Sequence, residues 1–383
     1  MISKFISITF SEAILKGGNR RSIENLTIHN VRNALARFGD FKVEKKASRG
    51  LLSCKNFDQK QIQKEILKVF GVDSVSFPHS IEPEVDKIRE FILSNSADLI
   101  GHKIKVETKR ADKSFPLMSQ ELNAVIGKAL CENGCSVDLK NPEKTIFIDI
   151  LPGQALVCFE KIKGFGGIPV GSSGKVLSLL SGGIDSPVSS LLMMKRGCFV
   201  DFLHIHNYPT NKDAINSKLF TLTKKINEFS PIKQRLFLAP YTEFYKSTLK
   251  IDSKLELVIF RRFLLHLANT LAKKHKYKGV VTGDSLGQVA SQTMDNIFAT
   301  DEAAKIPVFR PLISFNKQEI VDLAMKVGSF DISIKPYKDC CSLVAQKNPS
   351  TKVWLPAAKK IEEEINMEKI VEKTLEQIEI VDI

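Results

Sequence analysis

Residues 174–197, GKVLSLLSGGIDSPVSSLLMMKRG, contain the clearest chemistry in this chain. Ser181, Gly182 and Gly183 make a short loop of small residues that allows another group to approach the backbone closely. Asp185 and Ser186 follow at the expected start of a helix, and the next residue, a proline, suits a first helical turn. Such a loop directs free N–H groups and a helix N-terminus at an anion, so the sequence predicts a phosphate-binding site.

An apolar strand before this loop and a helix after it would hold it in place. Residues 175–180 are a short apolar run typical of a buried strand, and residues 188–194 continue apolar beyond the loop. A Walker A loop is excluded, because that motif needs a Lys after its last glycine and none is present. The loop instead resembles the PP-loop of ATP pyrophosphatases; an ordinary strand-to-helix turn is the alternative.

The second half of the chain alternates between predicted strands and predicted helices. The expected strands are 175–180, 198–205, 235–239 and 279–282, and the expected helices are 187–196, 212–229 and 253–275. This alternation indicates an α/β fold with a doubly wound parallel sheet, whose ligands bind beyond the carboxyl ends of the strands. The loop at 181–183 lies at such an end.

A second polar stretch, VVTGDSLGQVASQT at 280–293, follows another predicted strand. A capped helix entrance would explain Asp284 and Ser285. It would not explain the neutral donors and acceptors Gln288, Ser291 and Gln292, which suit a nucleotide site near the same sheet edge. A third stretch, RPLISFNKQEI at 310–320, indicates a turn into a helix and is weak by itself.

The first half predicts two smaller α/β domains. Alternating and amphipathic runs in the order β-α-β-β-α-β indicate a ferredoxin-like unit, and a second unit ends in a glycine-rich linker at 164–174. We predict domains at 1–57 (with an extension to about residue 75 left open), 58–166 and 167–383.

Charge and cysteine usage limit the function further. The net charge is +13; residues 169–360 alone carry 28 Lys and Arg against 15 Asp and Glu. This excess allows a polyanionic partner, although solvated surface lysine is the simpler explanation. Seven cysteines without regular spacing suit a reducing compartment and argue against a metal site held by a protein cluster. We expect a cytoplasmic protein with no membrane span.

Together with KDCCSLV at 338–344, the three stretches resemble the tRNA 4-thiouridine synthetases, the tRNA uracil 4-sulfurtransferases of the ThiI type. The resemblance implies a ferredoxin-like domain, a THUMP RNA-binding domain and a PP-loop ATP pyrophosphatase domain. It also implies the reaction: ATP adenylates O4 of the uridine at position 8 of tRNA, a cysteine persulfide attacks C4, and AMP departs. Another PP-loop tRNA thiolase and a catalytically silent THUMP protein stay as alternatives.

The resemblance assigns residues to these roles. Asp185 would organise Mg²⁺ or phosphate, and Cys340 would carry sulfur, with Cys341 as the alternative. Lys335 and Lys338 would favour its thiolate, and we expect the Cys340 sulfur to be reachable. The ATP site would comprise Leu179, Leu180, Ser181, Gly182, Gly183, Asp185, Ser186, His204, Ile205, Arg261, Gly283 and Gln292. The tRNA contacts would come from Lys103, Lys105, Lys109, Arg110 and Lys113.

Partners follow from the same resemblance. Many relatives end in a rhodanese domain that bears the persulfide, whereas this sequence ends at Ile383 after an acidic helix. We therefore expect the rhodanese-less form, in which a cysteine desulfurase loads Cys340 directly or free sulfide is used. A role in thiamine synthesis becomes doubtful, and a homodimer is the family expectation.

Overall fold

The described residues form three sheets, two in the unit Met1–Pro169 and one in the unit Val170–Ile383. The computed structural model describes residues 5–12, 18–46, 49–54, 57–337, 339–344 and 349–383, with the side chains of Cys341 and Ser342 excepted. Lys338 therefore lies outside the described residues.

The first sheet confirms the predicted β-α-β-β-α-β order. Its elements are β1 (Phe5–Phe10), α1 (Arg20–Leu35), β2 (Lys42–Lys46), β3 (Arg49–Ser53), α2 (Gln59–Leu67) and β4 (Val72–Ser76). Alternate residues Ile6, Ile8 and Phe10 of β1 are buried against Ile28 and Val31 of α1, as the two periodicities require. The resulting core is that of a ferredoxin-like domain.

The second sheet belongs to the same unit. Its elements are β5 (His79–Ile81), α3 (Val85–Ser94), β6 (Lys103–Arg110), α4 (Ser119–Glu132), β7 (Ser136–Val137), β8 (Lys144–Leu151) and β9 (Gln154–Cys158). The strand order is β5-β9-β8-β6-β7, with β6 parallel to both of its neighbours. The next strand, β10 (Ile162–Lys163), returns to pair with β4 of the first sheet and leads directly into the expected linker.

The third sheet is the predicted parallel sheet of the second unit. Its strands are β11 (Lys175–Leu179), β12 (Phe199–His206), β13 (Arg235–Pro240), β14 (Val280–Val281), β15 (Val308–Phe309) and β16 (Glu379–Asp382), in the order β15-β14-β11-β12-β13-β16. Strand β16 runs antiparallel to β13 at the edge, where the sequence predicted only an acidic helix.

The helices of this unit cover the sheet and supply its core. They are α5 (Asp185–Lys195), α6 (Asn211–Ile215), α7 (Lys218–Asn227), α8 (Thr242–Thr248), α9 (Ser253–His275), α10 (Met294–Asp301), α11 (Lys317–Val327), α12 (Phe330–Ser333), α13 (Cys340–Val344), α14 (Leu355–Glu364) and α15 (Met367–Glu376). Within the described residues, every helix is too short or too polar to span a lipid bilayer.

A buried arginine joins three of these helices. Arg262 of α9 donates to both carboxylate oxygens of Glu362 in α14, at 2.8 and 2.7 Å. It also donates to Glu302, beside α10, at 2.9 Å and to the carbonyl of Ala299 within α10. Its side chain is only 2% exposed. The guanidinium group therefore fixes the positions of α10 and α14 against the central helix.

We expect Arg262→Ala to lower the free energy of unfolding by about 3–5 kcal/mol, because removing one partner leaves the Glu362 carboxylate buried without its guanidinium. Urea unfolding followed by circular dichroism measures this loss. Lys360→Ala on the exposed face of α14 is the control and should cost about 0.5 kcal/mol or less. Equal losses in the two variants would contradict a structural role for the buried pair.

Candidate active site

A cavity of about 360 Å³ lies in the second unit, beyond the carboxyl ends of neighbouring strands β14, β11 and β12. This is where a doubly wound sheet binds its ligand. Gly182 and Gly183 belong to the loop beside it. The other predicted nucleotide-site residues all line the cavity: Leu179, Leu180, Ser181, Asp185, Ser186, His204, Ile205, Arg261, Gly283 and Gln292.

Two serines shape the loop between β11 and α5. Ser186 Oγ accepts a hydrogen bond from the Ser181 N–H at 2.9 Å, and the two hydroxyl oxygens lie 3.1 Å apart. The Gly183 N–H donates to Ser181 Oγ at 3.3 Å. Helix α5 begins at Asp185, so its N-terminus is held beside the cavity. The loop has the local form that favours an anion.

Gly283 allows the end of β14 to approach this loop. A Cβ atom at Gly283 would lie 2.8 Å from the backbone nitrogen of Ser186 and 3.0 Å from its Cα. Both contacts are with backbone, which cannot give way as a flexible side chain can. The Ser189 hydroxyl donates to the Thr282 carbonyl at 2.6 Å and secures the same contact. The glycine is therefore required by close packing.

Asp284 is the centre of the polar wall. Arg261 donates to both of its carboxylate oxygens at 2.6 Å, and Arg310 Nε donates to Oδ2 at 3.0 Å. Thr282 and Gln292 donate to the same carboxylate at 2.8 and 3.4 Å. Burial alone would raise the pKa of Asp284, but the two guanidinium groups hold the pKa below its ordinary value. The arrangement fixes two cations at the cavity.

Asp185 lies across the loop in a second ion pair. Lys317 Nζ donates to its Oδ1 at 2.6 Å, and Gln288 Nε2 donates to its Oδ2 at 2.9 Å. Lys317 begins α11, which Asn316 caps by accepting from the Glu319 N–H at 3.0 Å. The stretch at 310–320 thus places Lys317 beside Asp185, the predicted catalytic carboxylate.

His204 is neutral and sits beneath the loop. Its Nδ1 lies 2.8 Å from the Leu180 carbonyl, which can only accept, so Nδ1 carries the proton. Its Nε2 then accepts from the Tyr337 hydroxyl at 2.7 Å. Burial lowers the pKa of His204 to about 4 and raises the pKa of Tyr337 above its ordinary value.

Apolar side chains of α9 form the opposite wall of the cavity. Leu257, Phe260, Leu264 and Leu265 supply a surface suited to a planar ring. Among the described residues, the Gln292 Oε1 and Thr300 Oγ1 atoms are buried there and have no hydrogen-bond partner. Unpaired buried polar atoms are costly, so these two are suited to contact a bound molecule.

The Cys340 thiol is buried, whereas the sequence predicted that it would be reachable. Its side chain is 1% exposed, packs in the core of the second unit and donates from Sγ to the Ile205 carbonyl at 3.4 Å. The prediction of a reachable Cys340 sulfur is therefore wrong for this conformation, because α13 turns the thiol inward against the end of β12.

The predicted RNA-contacting residues lie on and after β6 of the first unit. Strand alternation places Lys103, Lys105 and Lys109 on one face, together with Glu107. Lys113 is exposed in the loop that follows. Arg110 has a structural task, since its Nη1 donates to the carbonyls of Phe115 and Leu117 at 3.1 and 3.0 Å.

The sequence did not identify several residues that line the cavity or contact its lining. Asp284, Thr300, Arg310 and Asp339 line it, Lys317 contacts Asp185, and Tyr337 contacts His204. Asp284, Arg310 and Lys317 lie inside stretches already singled out. Nothing in the sequence pairs them with Arg261 or Asp185. No group of three or more His, Cys, Asp and Glu side chains is arranged to hold a metal ion in the part of the chain that the structure describes.

We expect His204 to make folding stability depend on pH. Its pKa near 4 lies below the ordinary 6.5, so between these values the unfolded chain binds a proton that the folded protein does not. Stability should fall by up to about 3 kcal/mol as the pH drops through this window. Urea unfolding at pH 7, 6, 5 and 4.5 should show a smaller dependence in His204→Asn.

The exposed His29 supplies the control, and His29→Asn should keep the full pH dependence. An unchanged pH dependence in the His204 variant would contradict the assignment.

Comparisons with known proteins agree with this architecture. The family model described as Thiamine biosynthesis protein (ThiI) matches residues 171–367. The ThiI ferredoxin-like domain matches residues 5–76, and the THUMP domain matches residues 81–160.

Crystal structures with a related fold include that of a 4-thiouridine synthetase–RNA complex with bound ATP. It shares 28% identity at a TM-score of 0.86, and all of both chains is covered. A Pyrococcus horikoshii protein aligns over 85% of this chain and 99% of its own, at 25% identity and a TM-score of 0.64.

Curated relatives match at the level of sequence over nearly their full length. The probable tRNA sulfurtransferase of Thermoanaerobacter pseudethanolicus is 36% identical over 377 residues, covering 97% of this chain and 98% of the relative. That of Acetivibrio thermocellus is 36% identical over 394 residues, covering 100% and 99%. The chain therefore belongs to the ThiI family, whose model covers the unit that holds the cavity.

Proposed function

We propose that this protein is an ATP-dependent tRNA sulfurtransferase that converts the uridine at position 8 of tRNA into 4-thiouridine. One observation carries the proposal: a PP-loop, a fixed arginine pair and an apolar wall surround a single cavity. Family membership supports it, since curated relatives are named probable tRNA sulfurtransferases and the 4-thiouridine synthetase structure holds RNA and ATP.

ATP would bind with its phosphates at the loop and its base against the apolar wall. The N–H groups around Ser181, the helix N-terminus at Asp185 and the guanidinium of Arg261 supply positive potential for the phosphates. Leu179, Ile205 and the α9 side chains supply the apolar surface for adenine. The unpartnered Gln292 Oε1 offers an acceptor to a donor such as the adenine amino group.

The first chemical step would be adenylation of the uracil. The O4 atom attacks the α-phosphorus, the bond from that phosphorus to the bridging oxygen breaks, pyrophosphate leaves, and the N3 proton is lost. Charge accumulates on the leaving pyrophosphate, where the loop N–H groups and Lys317 stabilise it most. Mg²⁺ would neutralise further phosphate charge, and Asp185 is the carboxylate that would hold it.

The second step would be sulfur transfer. The terminal sulfur of a persulfide on Cys340 attacks C4, AMP leaves with O4, and a second thiol then cleaves the S–S bond and releases 4-thiouridine. A cysteine desulfurase is the proposed persulfide donor. Because Cys340 is buried here, this step requires the thiol to become accessible.

The THUMP domain would bind the tRNA backbone through Lys103, Lys105, Lys109 and Lys113, with Arg110 shaping the loop. We further propose a homodimer that acts in the cytoplasm, where tRNA and reduced thiols are present.

The proposed reaction is tested with an unmodified tRNA transcript, Mg-ATP and a sulfide source. We expect ATP-dependent 4-thiouridine at position 8, detected by mass spectrometry of digested RNA. Asp185→Asn should lower its formation by about 10²-fold or more, because the variant loses the charge that pairs with Lys317 and holds Mg²⁺. Asp331→Asn, at an exposed position of α12, should leave the rate unchanged.

Other outcomes of this assay would favour one of the alternative functions. ATP turnover to AMP without thiouridine would mean a different acceptor, as in another PP-loop thiolase. If the protein binds RNA but forms neither AMP nor 4-thiouridine, the result would favour a catalytically silent THUMP protein.

Cys340→Ser separates the two sulfur routes. With sulfide, which can attack C4 directly, the variant should still form 4-thiouridine; with a cysteine desulfurase and cysteine as the persulfide donor, it should form none.

RNA binding is tested by its salt dependence. Lys109→Ala combined with Lys113→Ala should weaken binding to any tRNA and reduce the slope of log K against log salt by about 1 for each of the two lysines that neutralises a phosphate. Fluorescence anisotropy between 50 and 200 mM salt is the measurement. Lys87→Ala with Lys128→Ala removes the same charge from α3 and α4; an equal effect there would contradict a specific RNA face.

A further inference from the structure

Three neighbouring residues after α12 contact the parts of the cavity that the proposed reaction uses. Tyr337 donates its hydroxyl to His204 at 2.7 Å, and its ring lies where a Cβ on Gly182 would be only 2.5 Å away. Asp339 Oδ2 accepts from the Gly182 N–H at 3.3 Å. Cys340 donates to the Ile205 carbonyl at 3.4 Å.

The contact of Asp339 is chemically equivalent to a phosphate contact. A carboxylate oxygen and a pyrophosphate oxygen are both anionic acceptors, and the Gly182 N–H can donate to one of them at a time. Two anions at the same N–H would also repel each other. Asp339 lines the cavity itself, so a nucleotide whose phosphates enter the loop meets this carboxylate directly.

The position of Asp339 in the chain links this competition to the sulfur-carrying residue. Cys340 follows it directly and begins α13 with its side chain buried. Because the two residues are consecutive, a backbone shift that takes the Asp339 carboxylate out of the loop also moves Cys340 and its contact with Ile205. The ring of Tyr337 packs on the same glycine, Gly182.

We propose that Asp339 is a positioning residue that competes with the pyrophosphate of ATP for the Gly182 N–H. Nucleotide binding displaces Asp339 and brings Cys340 from its buried position to the cavity. The inference rests on the proposed function and adds an order of events to it. The thiol is protected until ATP is bound, so sulfur becomes available only when the acceptor can be activated.

The first test measures the accessibility of Cys340 by iodoacetamide labelling and peptide mass spectrometry. The probes are α,β-methylene ATP, which cannot be cleaved between its α- and β-phosphates, and inorganic pyrophosphate. Each should accelerate labelling of Cys340 by roughly tenfold. The exposed Cys131 and the buried Cys198 are internal references whose labelling should not change.

The second test uses Asp339→Asn, which keeps the size of the side chain and removes its charge. A protein that must leave one state to bind has its apparent affinity lowered by the fraction of competent molecules. The variant should therefore bind α,β-methylene ATP roughly 3–10-fold more tightly and label faster at Cys340 without nucleotide. A merely structural aspartate would give weaker binding when removed. Asp331→Asn is the matched control and should change neither quantity.

The outcomes separate the two proposals. Calorimetric binding of α,β-methylene ATP with Cys340 labelling unchanged, or Asp339→Asn binding no more tightly than the parent, overturns the role of Asp339 alone. Failure of the parent protein to bind the nucleotide at all overturns the proposed function, and this inference with it. Thermal unfolding of both variants shows whether each is folded.

Discussion

The buried carboxylate of Asp284 is the interaction on which the site depends. It lies where β14 ends, and two arginines from different elements converge on it, Arg261 from α9 and Arg310 from the turn after β15. A carboxylate that is 3% exposed is stable only when it is paired, and each guanidinium is in turn held by it. Because α9 also carries the apolar wall, one charge centre fixes both the cationic and the apolar sides of the cavity.

The loop between β11 and α5 is organised by contacts of a different kind. Neutral serine hydroxyls hold it internally, the backbone of Gly283 supports it from the side, and neutral His204 lies below it. The depressed pKa of this histidine means that no positive charge competes with the loop for its anion from beneath. The positive potential at the loop comes from N–H groups, the helix N-terminus and the side chains at the rim. Such groups bind phosphate in a fixed direction, which suits a leaving group that must depart along one line.

The sheets of the two units suit different kinds of ligand. The parallel sheet of the second unit ends all its central strands at one edge, where loops can converge on a small molecule. The mixed sheet of the THUMP domain instead presents Lys103, Lys105 and Lys109 on one face of β6, together with Glu107, and in the proposed function these lysines contact the RNA backbone. Arg110, at the end of β6, instead holds the following loop, because its Nη1 donates to the carbonyls of Phe115 and Leu117.

The sequence by itself determined the central strands and helices of the second unit and part of the cavity lining. Hydrophobic periodicity predicts the four central strands and the helix Ser253–His275, and the small residues at 181–183 predict close approach, because these properties are local. Tertiary structure alone decided the rest. Lys317 reaches Asp185 across 132 positions of the chain, Arg310 reaches Asp284 across 26, and β16 closes the sheet edge from the far end of the sequence. The burial of Cys340 was decided in the same way: flanking charges predict exposure, but the packing of α13 against β12 and α9 turns the thiol inward.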